Sequence, residues 1–241
     1  MDAILPPLKF PSLRSLSLVF PEASAEVELD ADGSAAVNGL LDGVAATLAR
    51  LSISGDSIWR REFFSCFRSL QEMELIFTST FGGLHNVLTH CTTITSLTLL
   101  PSSSAHQLFA ALDAHPNALP GLTTFKFLNH MQLEMVLDAH VQALCKFLKN
   151  KKDLRRLDVL LDGPERAEIL LLESLSALPS IEVLGIDFAR YDWQPEDILA
   201  FERVIPPRLS ALRLQPVADE LHAPYKEAWL KMVRLRSSAS T

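Results

Sequence analysis

One apolar signature, L-x-x-L-x-L, recurs eight times along this 241-residue chain. It is carried by Leu13/Leu16/Leu18, Leu48/Leu51/Ile53, Leu70/Met73/Leu75, Ile94/Leu97/Leu99, Leu122/Phe125/Phe127, Leu154/Leu157/Val159, Ile181/Leu184/Ile186 and Leu209/Leu212/Leu214. The steps between first members are 35, 22, 24, 28, 32, 27 and 28 residues, with a mean of 28. A unit of that length cannot bury its own apolar edge and must bury it against its neighbours, which predicts a solenoid. Three apolar positions alone would be weak support, because a chain so rich in Leu, Ile, Val, Met and Phe matches them by chance about ten times. The regular step is what chance does not supply.

The intervals supply a second signal. Segments 35–48, 57–67, 83–90, 104–115, 131–150, 164–177 and 195–204 space their apolar residues at helical period, as in Leu133, Val136, Leu137, Val141, Leu144 and Leu148. Pro164 and Pro195 stand at first helical positions, where a missing N–H costs nothing. Within x-L-x-L the apolar side chains share one face of a short strand and the intervening residues share the other. Strands stacked in parallel with helices behind them must curve, since helices are wider than strands. The expected fold class is therefore α/β: a right-handed α/β solenoid of about eight repeats, an arc with parallel strands on the concave face and helices on the convex face.

Between about Phe10 and Gln215 the chain resembles the leucine-rich repeat proteins, in particular the long, helix-backed repeats of the ribonuclease-inhibitor-like and fungal F-box-associated types. Residues 152–159 (Lys-Asp-Leu-Arg-Arg-Leu-Asp-Val) and 91–99 (Cys-Thr-Thr-Ile-Thr-Ser-Leu-Thr-Leu) carry the resemblance best. The family's frequent Asn or Cys, three residues past the last strand apolar, is replaced here by Pro21, Asp56, Thr78, Ser102, His130, Asp162, Ala189 and Val217, so that ladder is not expected. The resemblance implies a protein-interaction module, and in its F-box branch the substrate-recognition part of a cullin-type ubiquitin ligase receptor. The helical F-box itself is not found upstream of the repeats, which makes the chain a repeat-only member or a fragment of a longer protein.

Three segments follow: a lead over 1–9, the solenoid over 10–236 and a polar tail over 237–241. Leu221, Tyr225, Trp229 and Met232 fall near one face of a capping helix near 219–236, and residues 21–34 read as an outward insertion. The N-terminal edge has no evident cap, which leaves self-association through it open.

A net charge of −7, with no basic block beyond Lys149 to Lys152 and the pair Arg234/Arg236, argues against nucleic acid and anionic membranes as partners. The longest apolar run, Leu108 to Leu112, is far short of a membrane span, and the N-terminus lacks a signal-peptide pattern. Cys66, Cys91 and Cys145 show no disulfide framework and read as buried free thiols. An intracellular location, cytoplasmic or nuclear, is expected.

Nothing in the sequence points to catalysis. There is no G-x-S-x-G elbow, P-loop or dinucleotide fingerprint, and Gly82-Gly83 lacks a phosphate-cradling context. His85 and His90 lie roughly 140° apart around a helix, and His106, His115, His130 and His140 fall in separate repeats, so they read as surface or helix-end residues. Glu72 and Glu74 share one strand face, where solvated charge is favoured over an acid/base pair. No catalytic residue, metal ligand or cofactor is expected.

Function should then reside on the strand face turned away from the helices. Alternation predicts that this wall carries Arg50, Glu72, Glu74, Lys126, Arg156, Asp158, Asp187 and Arg213 as partner-binding charges, among hydroxyls such as Ser52, Ser96, Thr98 and Thr124. Ile76, Leu100, Leu128 and Leu160 form an apolar line along one rim. Two readings of that line compete: anchors for a protein partner, or extra core tucked under the turns, with the second slightly favoured. Tyr191 and Trp193 are read as packing for the next helix rather than as a contact site.

Overall fold

Eight short strands, all parallel and in sequence order, form one sheet in the computed structural model of the chain. The structure describes residues 10–19, 39–54, 67–78, 82–101, 106–128, 137–161, 165–187, 201 and 203–215. The strands are β1 (Ser15–Val19), β2 (Arg50–Ser54), β3 (Glu72–Thr78), β4 (Ser96–Pro101), β5 (Thr124–Leu128), β6 (Arg156–Leu160), β7 (Val183–Asp187) and β8 (Ala211–Gln215). Four helices alternate with the later strands: α1 (Gly82–His90), α2 (His106–Ala114), α3 (Asp138–Leu148) and α4 (Glu165–Ser174), the last continuing as a 3-10 turn over Leu175–Ala177. Residues 39–44 are also helical. This is the expected α/β solenoid, and each strand falls on its predicted signature.

The pairing repeats one register. Leu16, Leu51, Met73, Leu97, Phe125, Leu157, Leu184 and Leu212 stand opposite one another across the eight strands, and so do Leu18, Ile53, Leu75, Leu99, Phe127, Val159, Ile186 and Leu214. From β2 to β7 these two lines are sealed, none of their members being more than 3% exposed. Their side chains meet the apolar stripes of the helices: Phe127 packs on Phe109 of α2, and Phe125 on Phe147 of α3, at ring-centroid distances of 5.4 and 5.9 Å. In α3 the buried residues Val141, Leu144, Phe147 and Leu148 keep the i, i+3, i+6, i+7 spacing of one helical face. Asp138 in its first turn and Lys146 in its last complement the helix dipole.

A shared-acceptor joint fixes each repeat to the next. At all seven junctions one carbonyl accepts two consecutive backbone N–H groups of the following repeat. The acceptors are Arg14, Ala49, Gln71, Thr95, Thr123, Arg155 and Glu182, at 2.7–3.0 Å. Hydroxyls reinforce the same end of the strands. Thr47 donates to the Leu13 carbonyl, Ser69 to Ala46, Thr93 to Leu70, Thr95 to Gln71, Thr123 to Thr95 and Ser210 to Glu182. The side-chain ladder that the strand exits do not suggest therefore exists at the strand lead-ins, built from Thr and Ser.

Just before that joint, six repeats make a tight turn in which the first signature residue donates its N–H to the carbonyl three residues earlier. The residue offering that carbonyl is Phe10, Cys91, Leu119, Lys151, Leu178 or Pro206. Cys91, Leu119 and Leu178 are at most 2% exposed, so this position is part of the core. Leu119 adopts a positive φ of 50° there, a strain a glycine would avoid, but a glycine would leave the column unfilled. Lys151 is the one charged member, and it too is 1% exposed. Its ammonium donates to the Pro116 carbonyl at 3.0 Å and sits 4.1 Å above the Phe147 ring. Burial pulls its pKa down to about 8. The basic stretch from Lys149 to Lys152 is thus not uniformly a solvated patch.

The lead over 1–9, the insertion over 21–34, the capping helix near 219–236, the tail, Cys66, His130, Tyr191 and Trp193 lie outside the described residues. Among the described residues no helix is long and apolar enough to cross a membrane.

Candidate functional site: the open face of the sheet

The residues between the sealed lines point away from the helices and form three rows along the sheet. The first row is Ser15, Arg50, Glu72, Ser96, Thr124, Arg156, Val183 and Ala211. The second is Ser17, Ser52, Glu74, Thr98, Lys126, Asp158, Gly185 and Arg213, and the third begins at Val19 and ends at Gln215. Arg50, Glu72, Glu74, Lys126, Arg156, Asp158 and Arg213, seven of the eight charges expected on this wall, hold open-face positions distributed along the sheet rather than gathered at one point, and the backbone register places Asp187 at the end of the third row.

Two of them meet across a junction. Arg50 and Glu72 are register partners on β2 and β3, joined Nε to Oε1 at 3.0 Å with side chains 64% and 42% exposed. Glu74, one row over, is exposed and faces Ser52 and Thr98. The carboxylates of β3 are therefore solvated charges on an open strand, without the enclosure that would set one as an acid and the other as a base.

The second cluster is more built. Arg156 and Asp158 are two apart on β6, so both project from the open face, and Arg156 Nε donates to Asp158 Oδ2 at 2.7 Å. Asp158 is only 6% exposed although, among the described residues, no helix covers it. The reason lies on the next strand, where Asp158 stands opposite Gly185. The carboxylate leans into the space a side chain would occupy, and a Cβ added at Gly185 would collide with Asp158 Oδ1. Lys126, half-buried, is the register partner of Asp158 on the other side. Arg213 is exposed on β8, one strand beyond Gly185. Asp187 is at the end of β7, opposite Leu160 and Gln215, and its side chain is outside the described set.

In the third row Ile76, Leu100 and Leu128 are half-buried and Leu160 is 9% exposed. The line is thus neither core nor free surface: it offers apolar area on β3 to β5 and closes at β6. Gly185 is the residue of this face that sequence reasoning passes over. Its signal was the glycine inside a strand pattern, which marks a close approach of another group.

The cysteines belong to the other side. Cys91 is buried and Cys145 half-buried, both as free thiols; burial pushes Cys91 up to about 12 and raises Cys145 as well. Such thiols pack as small apolar groups rather than react.

No protein-family model matches the chain, and no curated protein is similar to it in sequence. Among solved structures it is similar to an internalin, InlF, from Listeria monocytogenes, at a TM-score of 0.32 and 10% identity over 73% of this chain. The chain spans 65% of that protein's length. The fold assignment rests on the geometry itself: eight in-register parallel strands, an apolar line repeated at each signature and helices on one face make a leucine-rich-repeat-like solenoid.

Proposed function

We propose that this chain is a non-enzymatic protein-interaction module that holds a protein partner against the open face of its sheet. The observation carrying this reading is the third row: Ile76, Leu100 and Leu128 keep part of their apolar surface exposed on a face that, among the described residues, no helix covers. Glu74 and Lys126 stand in the row beside them. Apolar area edged by charges of both signs suits a protein surface, with the apolar residues as anchors and the charges setting register. Helices pack 8–10 Å apart and strands 4.7–4.9 Å apart, a mismatch that favours bending of such a stack toward its strand face. The free thiols Cys91 and Cys145 support placing the protein inside the cell.

Differential capture tests the proposal. Wild-type chain, a Leu100→Glu/Lys126→Glu variant of the open face and a Lys152→Glu control, whose site is exposed at the turn before β6, are each used as bait in extract from the source cells. Proteins retained by the wild type and the control but not by the open-face variant are expected. Identical captures by all three would remove this face as the binding surface.

A further inference from the structure

The repeat stacking brings together histidines that the sequence separates by 30 and 34 residues. His85 of α1 and His115, just after α2, approach with His85 Nδ1 2.6 Å from His115 Nε2, the rings edge to face with centroids 4.3 Å apart. His106 of α2 and His140 of α3 form a second contact, Nδ1 to Nε2, at 3.4 Å.

The two pairs differ in what their nitrogens are free to do. His140 Nδ1 accepts the Leu137 backbone N–H at 3.3 Å, and its ring stacks on Phe109, 6° from parallel. An Nδ1 that accepts leaves the proton on Nε2, so His140 donates to His106 Nδ1 and has no lone pair directed at the pair's midpoint. That contact is a structural joint. His85 Nδ1 and His115 Nε2 carry no such constraint among the described residues, and the two nitrogens face each other at the surface. His85 is exposed and His115 half-buried, so solvent reaches the pair. A hydrogen bond between two solvated imidazoles is worth little on its own.

We propose that His85 and His115 are a two-imidazole site for a borderline divalent transition metal of the zinc, copper or nickel class, bridging two adjacent repeats on the helical face. Imidazole nitrogens bind such ions at about 2.0–2.1 Å, which places two of them about 3.3 Å apart on a tetrahedral ion. The pair therefore opens by about 0.7 Å on binding, a movement within the reach of exposed side-chain torsions. No group of three or more His, Cys, Asp or Glu residues is placed to hold a metal among the described residues, so the remaining coordination positions go to water.

Chelator-treated full-length chain is titrated with zinc chloride and, separately, nickel chloride by calorimetry, and thermal melts are recorded with each metal. One equivalent is expected to bind the wild type and the His106→Ala variant, and to bind His85→Gln and His115→Gln at least about ten-fold more weakly. At about ten times its Kd the metal should raise the wild-type Tm by roughly 3–6 °C and the two Gln variants by no more than about 1–2 °C. Near-coincident melts of the four metal-free proteins show that the variants are folded. Failure of the wild type to bind at millimolar metal overturns the site, and so does binding that survives unchanged in the Gln variants or is lost equally in His106→Ala.

Discussion

The middle of this sheet and its ends obey the same pattern with different results. Leu97, Leu99, Phe125, Phe127 and Leu157 are fully buried, whereas Leu16 and Leu18 of β1 and Leu212 of β8 are only half-buried. All belong to the same two lines of the register. The difference is neighbours: a central strand has one on each side, and β1 and β8 stand at the margins of the sheet. In a solenoid a residue's stability contribution is set by its position along the stack as much as by its chemistry.

The sharpest way to break that comparison is one substitution at two positions. Leu157→Asp buries an unpaired charge between β6 and the helices and should cost more than about 4 kcal/mol, abolishing the cooperative melt. Leu16→Asp places the same charge where water already reaches and should lower Tm while leaving a cooperative transition. Equal losses in urea denaturation would show that the two ends of the stack are as tightly held as its centre.

A central position can also be made more stable than it is. Lys151 keeps its proton up to about pH 10.5 when unfolded but only to about 8 when folded. Between those values the unfolded chain binds more protons, so stability rises with pH across pH 8 to 10.5, and below pH 8 the burden of the buried cation is fully present. Lys151→Met should flatten that rise and stabilise the protein at pH 7, by about 3 kcal/mol at most. Denaturation series at pH 7.5 and 10 on both proteins check this, and a pH dependence unchanged by the substitution would contradict it.

On the open face the expected effects are smaller. Gly185→Ala displaces Asp158 from its niche and should cost about 2 kcal/mol. Adding Asp158→Ser should restore much of that loss, because the two sites share one space. Purely additive losses in a double-mutant cycle would refute the niche. Smallest is the contrast between the two Arg–carboxylate pairs. Arg50→Ala removes an exposed pair and should change stability by less than about 1 kcal/mol. Arg156→Ala leaves Asp158, with a side chain 8% exposed, without its guanidinium and should cost about 1–2 kcal/mol. Equal melts would erase the distinction between the central and the marginal pair.

Most of the architecture was legible because it depends on alternation within five residues. The signatures place all eight strands and sort inward from outward side chains; α2 to α4 fall inside the predicted helical segments, and α1 begins one residue before its own. The residues that escaped depend on the phase between repeats. Lys151 reads as one of five consecutive polar residues until the turn register aligns it with Cys91, Leu119 and Leu178. Asp158 reads as a surface charge until Gly185 is seen opposite it. The histidines read as scattered because 30 and 34 residues are one repeat apart only when the local step is known.

The shared-acceptor joints explain how a chain with steps from 22 to 35 residues keeps eight strands in phase. Each joint resets the alignment at the start of a strand, so length added further round the coil is absorbed there and is not passed on. Insertions and deletions in the return segments should be tolerated, while a single residue added between a joint and its strand would turn that strand's greasy side toward water.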